Sequence, residues 1–255
     1  MQQARFQYRY NARTKGSHWV AAILLIGSTG SGGLCWSQAL PAVSWQLADE
    51  RITLNEPVIL KLSVENTTRD SVVLNLGDDF EGRFLITIIT PQGTVLHRPP
   101  RGTGNRIAVL GRVQIEPGAV YIRNYTIDEW HGFDSPGKYG IGVTPQIPVT
   151  VGDRSDTLSA ETYQTITIGA ADETALRRRC EELLAIAFKT HTVVNVDTIE
   201  KADQALHALS SVRDPIVIPY LARAVISPTL IVQDRAAVAL TRFSTPEAIT
   251  ALLGT

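Results

Sequence analysis

Ala205–Leu221 reads ALHALSSVRDPIVIPYL, and Ala236–Leu252 reads AAVALTRFSTPEAITAL. The two stretches align without a gap at an offset of 31 residues. Ala205, Ala208, Leu209, Pro215, Ile218 and Leu221 recur as Ala236, Ala239, Leu240, Pro246, Ile249 and Leu252. Self-similarity at a fixed period of this size is the signature of stacked helical units. Nothing upstream shares it, so the chain divides into a repeat region and something built differently.

The helical grammar begins at Gly169. Asp172 is placed to cap a helix. Leu176, Cys180, Leu183, Leu184 and Ala187 follow at spacings of three and four, which puts them on one face. Arg177 with Glu181 and Arg178 with Glu182 are four apart on the other side, so the run Arg177-Arg178-Arg179 reads as a solvated face. Asp197 with Glu200 predicts a capping box for a second helix, with Ile199, Ala202, Leu206 and Leu209 as its stripe. Asp214-Pro215 opens a third helix, and Pro219 in its next turn is expected to cost one hydrogen bond. Val232–Phe243 reads as a fourth helix and Thr245-Pro246 starts a fifth. The segments Ile218-Pro219-Tyr220-Leu221 and Asp234–Leu240 resemble HEAT-like repeats of the short bacterial type. The resemblance implies small Ala positions where helices approach and Leu positions that fill the stack. The period is shorter than in the longer members of that class, and only about two units are present. Such units cannot bury their apolar faces alone. Helix 172–189 is therefore expected to cap the array, leaving the helices around Val238 and Ile249 as an open end.

From Val43 to Ile168 the period is two. Val58–Val64, Val72–Leu76, Phe84–Thr90, Val95-Leu96, Ile107–Ile115, Ala119–Ile127, Tyr139–Val143 and Thr162–Ile168 read as strands. Polar or Pro-Gly turns separate many of them, at Asn66–Asp70, Pro91-Gln92-Gly93, Pro117-Gly118 and Ser135-Pro136-Gly137. This spacing predicts an antiparallel β-sandwich. Phe133–Tyr139 resembles the turn into a late strand of immunoglobulin-like or fibronectin-like bacterial domains, and Pro57–Asn66 resembles an early strand of the same kind. The resemblance implies that the Tyr139 hydroxyl bonds backbone upstream while Gly137 takes a positive φ. The expected architecture is thus multidomain, β then α: residues 1–39 a signal peptide, 40–169 an immunoglobulin-like sandwich, and 170–255 a HEAT-like helical domain.

The N-terminus suggests export. Arg5, Arg9, Arg13 and Lys15 precede the apolar run Trp19–Ile26, small residues follow, and Ser37-Gln38-Ala39 suits a signal peptidase. The apolar run is short of the roughly twenty residues that span a bilayer. Retained, the same segment would act as an anchor. A lipoprotein would want a small residue before Cys35, where Leu34 stands. The whole chain has a formal charge of −1, and without the four N-terminal cations it is −5. A mildly acidic mature protein has no electrostatic case for nucleic acid. Cleavage after Ala39 would leave Cys180 as the lone cysteine, so no internal disulfide is expected, and its spacing places it in a helical core.

Chemistry is sparse. Acids gather at Asp78, Asp79 and Glu81, at Asp128, Glu129 and Asp134, and at Asp153 and Asp156, but none follows a calcium-loop spacing, and turns favour Asp in any case. His97 and His131 lie near them without a zinc-like spacing, and His191 and His207 read as surface residues. No serine elbow or Cys–His frame occurs. No catalytic, cofactor or metal residues are therefore assigned. The unusual surface feature is HRPPRGTGNR, His97–Arg106, whose Arg98, Arg101 and Arg106 on a Pro and Gly frame are the expected partner contacts. The function expected is non-catalytic protein binding in the periplasm or outside the cell, with no nucleic acid and no membrane in the mature form. Two alternatives stand beside it: an extracytoplasmic hydrolase using a loop carboxylate cluster, and a proteinase inhibitor acting through residues 97–106.

Overall fold

A computed structural model describes residues 8–10, 40–77, 83–98, 111–129, 131–189, 196–227 and 230–254. Residues 1–39, expected as a signal peptide, fall outside the described residues except for 8–10, which form a strand, and loop 97–106 does so beyond its first two residues. The strands in chain order are β1 (Tyr8–Tyr10), β2 (Ala42–Leu47), β3 (Arg51–Thr53), β4 (Ile59–Glu65), β5 (Val72–Gly77), β6 (Phe84–Ile89) and β7 (Val95–Arg98). They continue with β8 (Gly111–Ile115), β9 (Val120–Thr126), β10 (Gly137–Pro145), β11 (Ile147–Val151), β12 (Arg154–Leu158) and β13 (Thr162–Gly169). Helices follow: α1 (Glu173–Phe188), α2 (Val196–Ser211), α3 (Ile218–Val225), α4 (Leu230–Leu240) and α5 (Pro246–Leu253). The chain is β first and α second.

Three sheets form, in the orders β2-β4-β9, β3-β13-β10-β6-β7 and β1-β8-β5-β11-β12. All pairings are antiparallel except β3 with β13 and β1 with β8. Alternation along β4 buries Leu60, Leu62 and Val64, and along β10 it buries Tyr139, Ile141 and Val143; both sets enter one core. Trp45 of β2 meets Phe84 of β6 edge-on at 5.1 Å, and Phe84 meets Tyr125 of β9 at 4.8 Å, so side chains of different sheets interlock.

The third sheet gathers strands that continue from the other two. β8 runs into β9, β10 runs into β11, and β5 pairs with both β8 and β11. Asn66, fully buried, holds the bend. Its amide donates to the Ile115 and Asp70 carbonyls at 2.8 and 2.9 Å and its carbonyl accepts from Thr68. The polar turn expected at Asn66–Asp70 is present, and only Asn66 in it is turned inward.

β1, β2, β3, β11 and β12 were not expected as strands. β12 exposes four of its five residues and so shows no alternation, whereas β11 does alternate, burying Ile147, Val149 and Val151, but carries Pro148, one residue before its ladder with β5 begins, a residue that argues against a paired strand. The expected turn geometry is present. Tyr139 donates its hydroxyl to the Ser135 carbonyl at 2.8 Å, and Gly137 has φ +149°.

In the helical part Leu176, Cys180, Leu183, Leu184 and Ala187 are the buried face of α1, and the Asp172 carboxylate accepts from the Thr174 and Ala175 amides. Four expectations need correction. Ile199 is 36% exposed and leaves the α2 stripe to Ala202, Leu206 and Leu209. Pro219 costs no hydrogen bond, because a 3-10 turn at Pro215–Val217 ends first and α3 restarts at Ile218, which puts Pro219 in a first turn where no amide is needed. His207 is buried, not superficial. The arginine pairs also differ. Arg177 is 3.7 Å from Glu173, Arg179 bonds Asp49 and Glu182, and Glu181 is taken by Arg223 of α3.

Candidate protein-binding site

The two halves meet along a polar seam. β9 is the outer strand of its sheet, and α2 lies against it. Gln204 of α2 accepts the Asn124 amide at 3.0 Å, which satisfies a backbone donor on the free edge of the strand. Alternation in β9 turns Arg123 inward beside Tyr121 and Tyr125. Its guanidinium, 4% exposed, bonds Glu200 Oε1 at 2.5 Å, and the same oxygen accepts from the Tyr121 hydroxyl at 2.9 Å. Glu200 thus serves the other half of the molecule, and α2 already begins at Val196, one residue before the expected start at Asp197. Burial, only partly offset by nearby Arg123, pushes the phenol of Tyr125 up. At the flanks Arg179 bonds Asp49 at 2.6 Å, and Asn55, in a left-handed conformation with φ +76°, donates to Asp214 at 3.0 Å.

Two clefts open on this seam. One, of about 30 Å³, lies among Glu56, Asp128, Phe133, Asp134 and Arg213; the other, of about 460 Å³, lies among Arg51, Glu56, Asp172, Arg178, Arg179 and Glu182. Most of their acids are already employed. Glu56 accepts from the Thr53 amide and hydroxyl, Asp128 from the Val58 amide, and Glu182 from Arg179. Carboxylates fixed on backbone amides serve the fold. Among the described residues no group of three or more His, Cys, Asp or Glu is placed to hold a metal ion. His97 shares a hydrogen bond with Thr87 at 3.2 Å, and His131 stacks edge-on against Phe133 at 5.1 Å, so these histidines are separately employed. Burial first, with Asp214 and Glu56 adding, pushes the Cys180 thiol up to about 12, which leaves it protonated and unreactive at neutral pH.

Of the expected contact residues, Arg98 ends β7 with only its backbone described, and Arg101 and Arg106 lie outside the described residues. Large apolar side chains are uncovered on the strands, at Val95, Ile122 and Tyr163, and among the helices. Val238 of α4 is 67% exposed, Ile249 and Leu253 of α5 are 51% and 83%, and Ile226 after α3 is 71%. Large apolar side chains gathered into one exposed patch are a usual mark of an interaction site. The repeat signalled the helical end. The seam gave one sign, an arginine at an inward strand position, which needs a partner the strand itself does not supply.

No protein-family profile matches the sequence, and no curated protein does. Among solved structures, a β-glucosidase from Listeria innocua in complex with gluconolactone shares 8% identity over 51% of this chain and 16% of its own, with a TM-score of 0.28. The β-glucosidase EmGH1 from Erythrobacter marinus shares 16% over 50% and 15%, with a TM-score of 0.28. The sporulation control protein Spo0M from Bacillus subtilis shares 12% over 58% and 55%, with a TM-score of 0.29. The chain spans less than two thirds of each of these, and likenesses of this strength carry no argument.

Proposed function

We propose that this chain is an exported, non-catalytic protein-binding protein of the bacterial envelope, periplasmic or secreted, with one body built from an immunoglobulin-like sandwich and a short HEAT-like array. The observation that carries the reading is the uncovered apolar face of α4 and α5, with Val238, Ile249 and Leu253 in the open. Water-exposed apolar area of this kind is a cost that a binding partner removes. The seam adds to it, because a rigid junction lets the β half hold the helical end in a set direction. The engaged acids of the clefts lend no support to a hydrolase.

The immunoglobulin-like part of the proposal rests on the Tyr139–Ser135 bond, the parallel pairing of β3 with β13 and the aromatic core between sheets. The HEAT-like part rests on α4 packing against α2 and α5 against α3, at the offset of the sequence repeat. Export rests on the order of residues 1–39. No helix among the described residues is long and apolar enough to cross a membrane.

The test is a pull-down from the native envelope fraction with wild-type and Ile249→Glu baits. Proteins retained by the first and lost from the second support the reading; identical retention on both removes its main observation. Sequencing the N-terminus of the exported protein should give Leu40 first, and recovery of the intact chain from the cytoplasm would refute export.

A further inference from the structure

β8 has two neighbours in its sheet, β5 on one side and β1 on the other. β1 is Tyr8–Tyr10, inside the segment expected as a leader and apart from the body that begins at Leu40. It runs parallel to β8, with Tyr8 level with Val113, Arg9 with Gln114 and Tyr10 with Ile115. The edge of a strand is a row of backbone donors and acceptors, and an uncovered edge is a template for pairing with another extended chain. The outer edge of β8 is thus closed by a segment that the expected cleavage after Ala39 removes.

Other edges are closed by other means. β12, at the far side of the same sheet, exposes four of its five residues and carries Arg154 and Asp156, charges that discourage pairing. β9 has its edge met by α2, through Gln204 on the Asn124 amide. β8 is covered by a strand instead. Its alternation buries Val113 and Ile115, and those are the levels at which Tyr8 and Tyr10 stand. Aromatic residues favour strands, and in Tyr8-Arg9-Tyr10 they take alternate places, so the sequence of the covering segment agrees with its register.

We propose that the outer edge of β8 is a strand-docking site, that Tyr8–Tyr10 occupies it as a built-in ligand, and that removal of residues 1–39 opens it to a partner peptide of the same chemistry, extended, parallel to β8 and aromatic at alternate positions. Main-chain hydrogen bonds supply the affinity in this mode of recognition, and the alternate side chains supply the selectivity. Attached through residues 11–39, the built-in strand is present at an effective concentration that a separate peptide must exceed. The intact chain is therefore closed and the shortened chain open. This surface is distinct from the helical end, and only its opening by cleavage rests on the export reading.

The experiment measures binding of a fluorescein-labelled peptide of residues 4–13 by fluorescence anisotropy. It uses the full chain and a full-chain variant carrying Tyr8→Gly, Arg9→Pro and Tyr10→Gly. Proline cannot donate to a ladder and glycine weakens a strand, so the variant loses the built-in strand while residues 40–255 stay unaltered. The variant should bind the peptide about tenfold or more tightly than the wild type does. The bound peptide should slow hydrogen exchange at residues 111–115, and a peptide carrying Arg9→Pro should bind about tenfold or more weakly. Equal binding to both chains, no binding to the variant, equal binding of the two peptides, or protection confined to residues outside 111–115 overturns the proposal. So does a variant that does not fold, because Tyr8–Tyr10 is then a structural strand and not an exchangeable one. Protection of 111–115 in the wild type that grows with protein concentration puts a second copy's strand on the edge and overturns the built-in occupant. Peptide binding to the variant does not require cleavage, so a failure of the export reading and a failure of this one are separate results.

Discussion

Arg123 lies at an inward register of β9, between two tyrosines, with its charge met by Glu200 of α2. Burying an ion pair costs nearly as much desolvation as its attraction returns, but removing one member leaves the other charge stranded. Glu200→Ala should therefore lower stability by about 3–5 kcal/mol in chemical denaturation. Arg123→Met with Glu200→Met should recover much of that loss, because both charges go together. A loss under about 1 kcal/mol for Glu200→Ala would place the pair among ordinary surface bridges. Asn55 belongs to the same seam. Its left-handed backbone is one that asparagine tolerates better than most residues, and its amide reaches Asp214 from that conformation.

At the scale of elements, the turn into β10 and the buried face of α1 are each set by a few residues. A Cβ on Gly137 would lie 2.4 Å from the Pro91 side chain, at a φ of +149° that other residues rarely adopt. Gly137→Ala should thus destabilise by more than the roughly 1 kcal/mol of a simple glycine exchange, read as a drop in melting temperature. An unchanged value would mean that the Pro91 turn moves aside freely. In α1, Leu183 is 4% exposed inside the helical core. Leu183→Ala should cost about 2–5 kcal/mol, the spread reflecting how far the neighbouring helices close on the cavity.

For the whole molecule the seam predicts a single cooperative unit. Ile59 of β4 packs against the helical core, Gln204 caps a strand amide, and Arg179 and Asp214 reach Asp49 and Asn55. Fluorescence and far-ultraviolet dichroism should report the same midpoint on unfolding in urea. Residues 170–255 made alone should be poorly folded or associated, since α2 would expose the face it now lays on β9. A monomeric fragment with a melting temperature equal to that of the whole chain would show that the seam contributes nothing to the array.

What the sequence determined alone was local and periodic. The 31-residue offset located the helix pairs, spacings of three and four selected Leu176, Cys180, Leu183, Leu184 and Ala187 as a buried face, and Ser135-Pro136-Gly137 with Tyr139 announced a turn that the structure contains. Each depends on neighbours a few residues away, or on a repeat of the same unit. Tertiary structure alone decided where Glu200 points, that Asn66 and His207 are interior, and that Arg179 leaves its own helix for Asp49. Asn66 and Arg179 each have local partners as well, but each also reaches a distant group, Ile115 for Asn66 and Asp49 for Arg179. No local pattern carries that information: for Asn66 it arises when distant strands of the β half pack together, and for Glu200 and Arg179 when the two halves do and their charges must find partners across the seam.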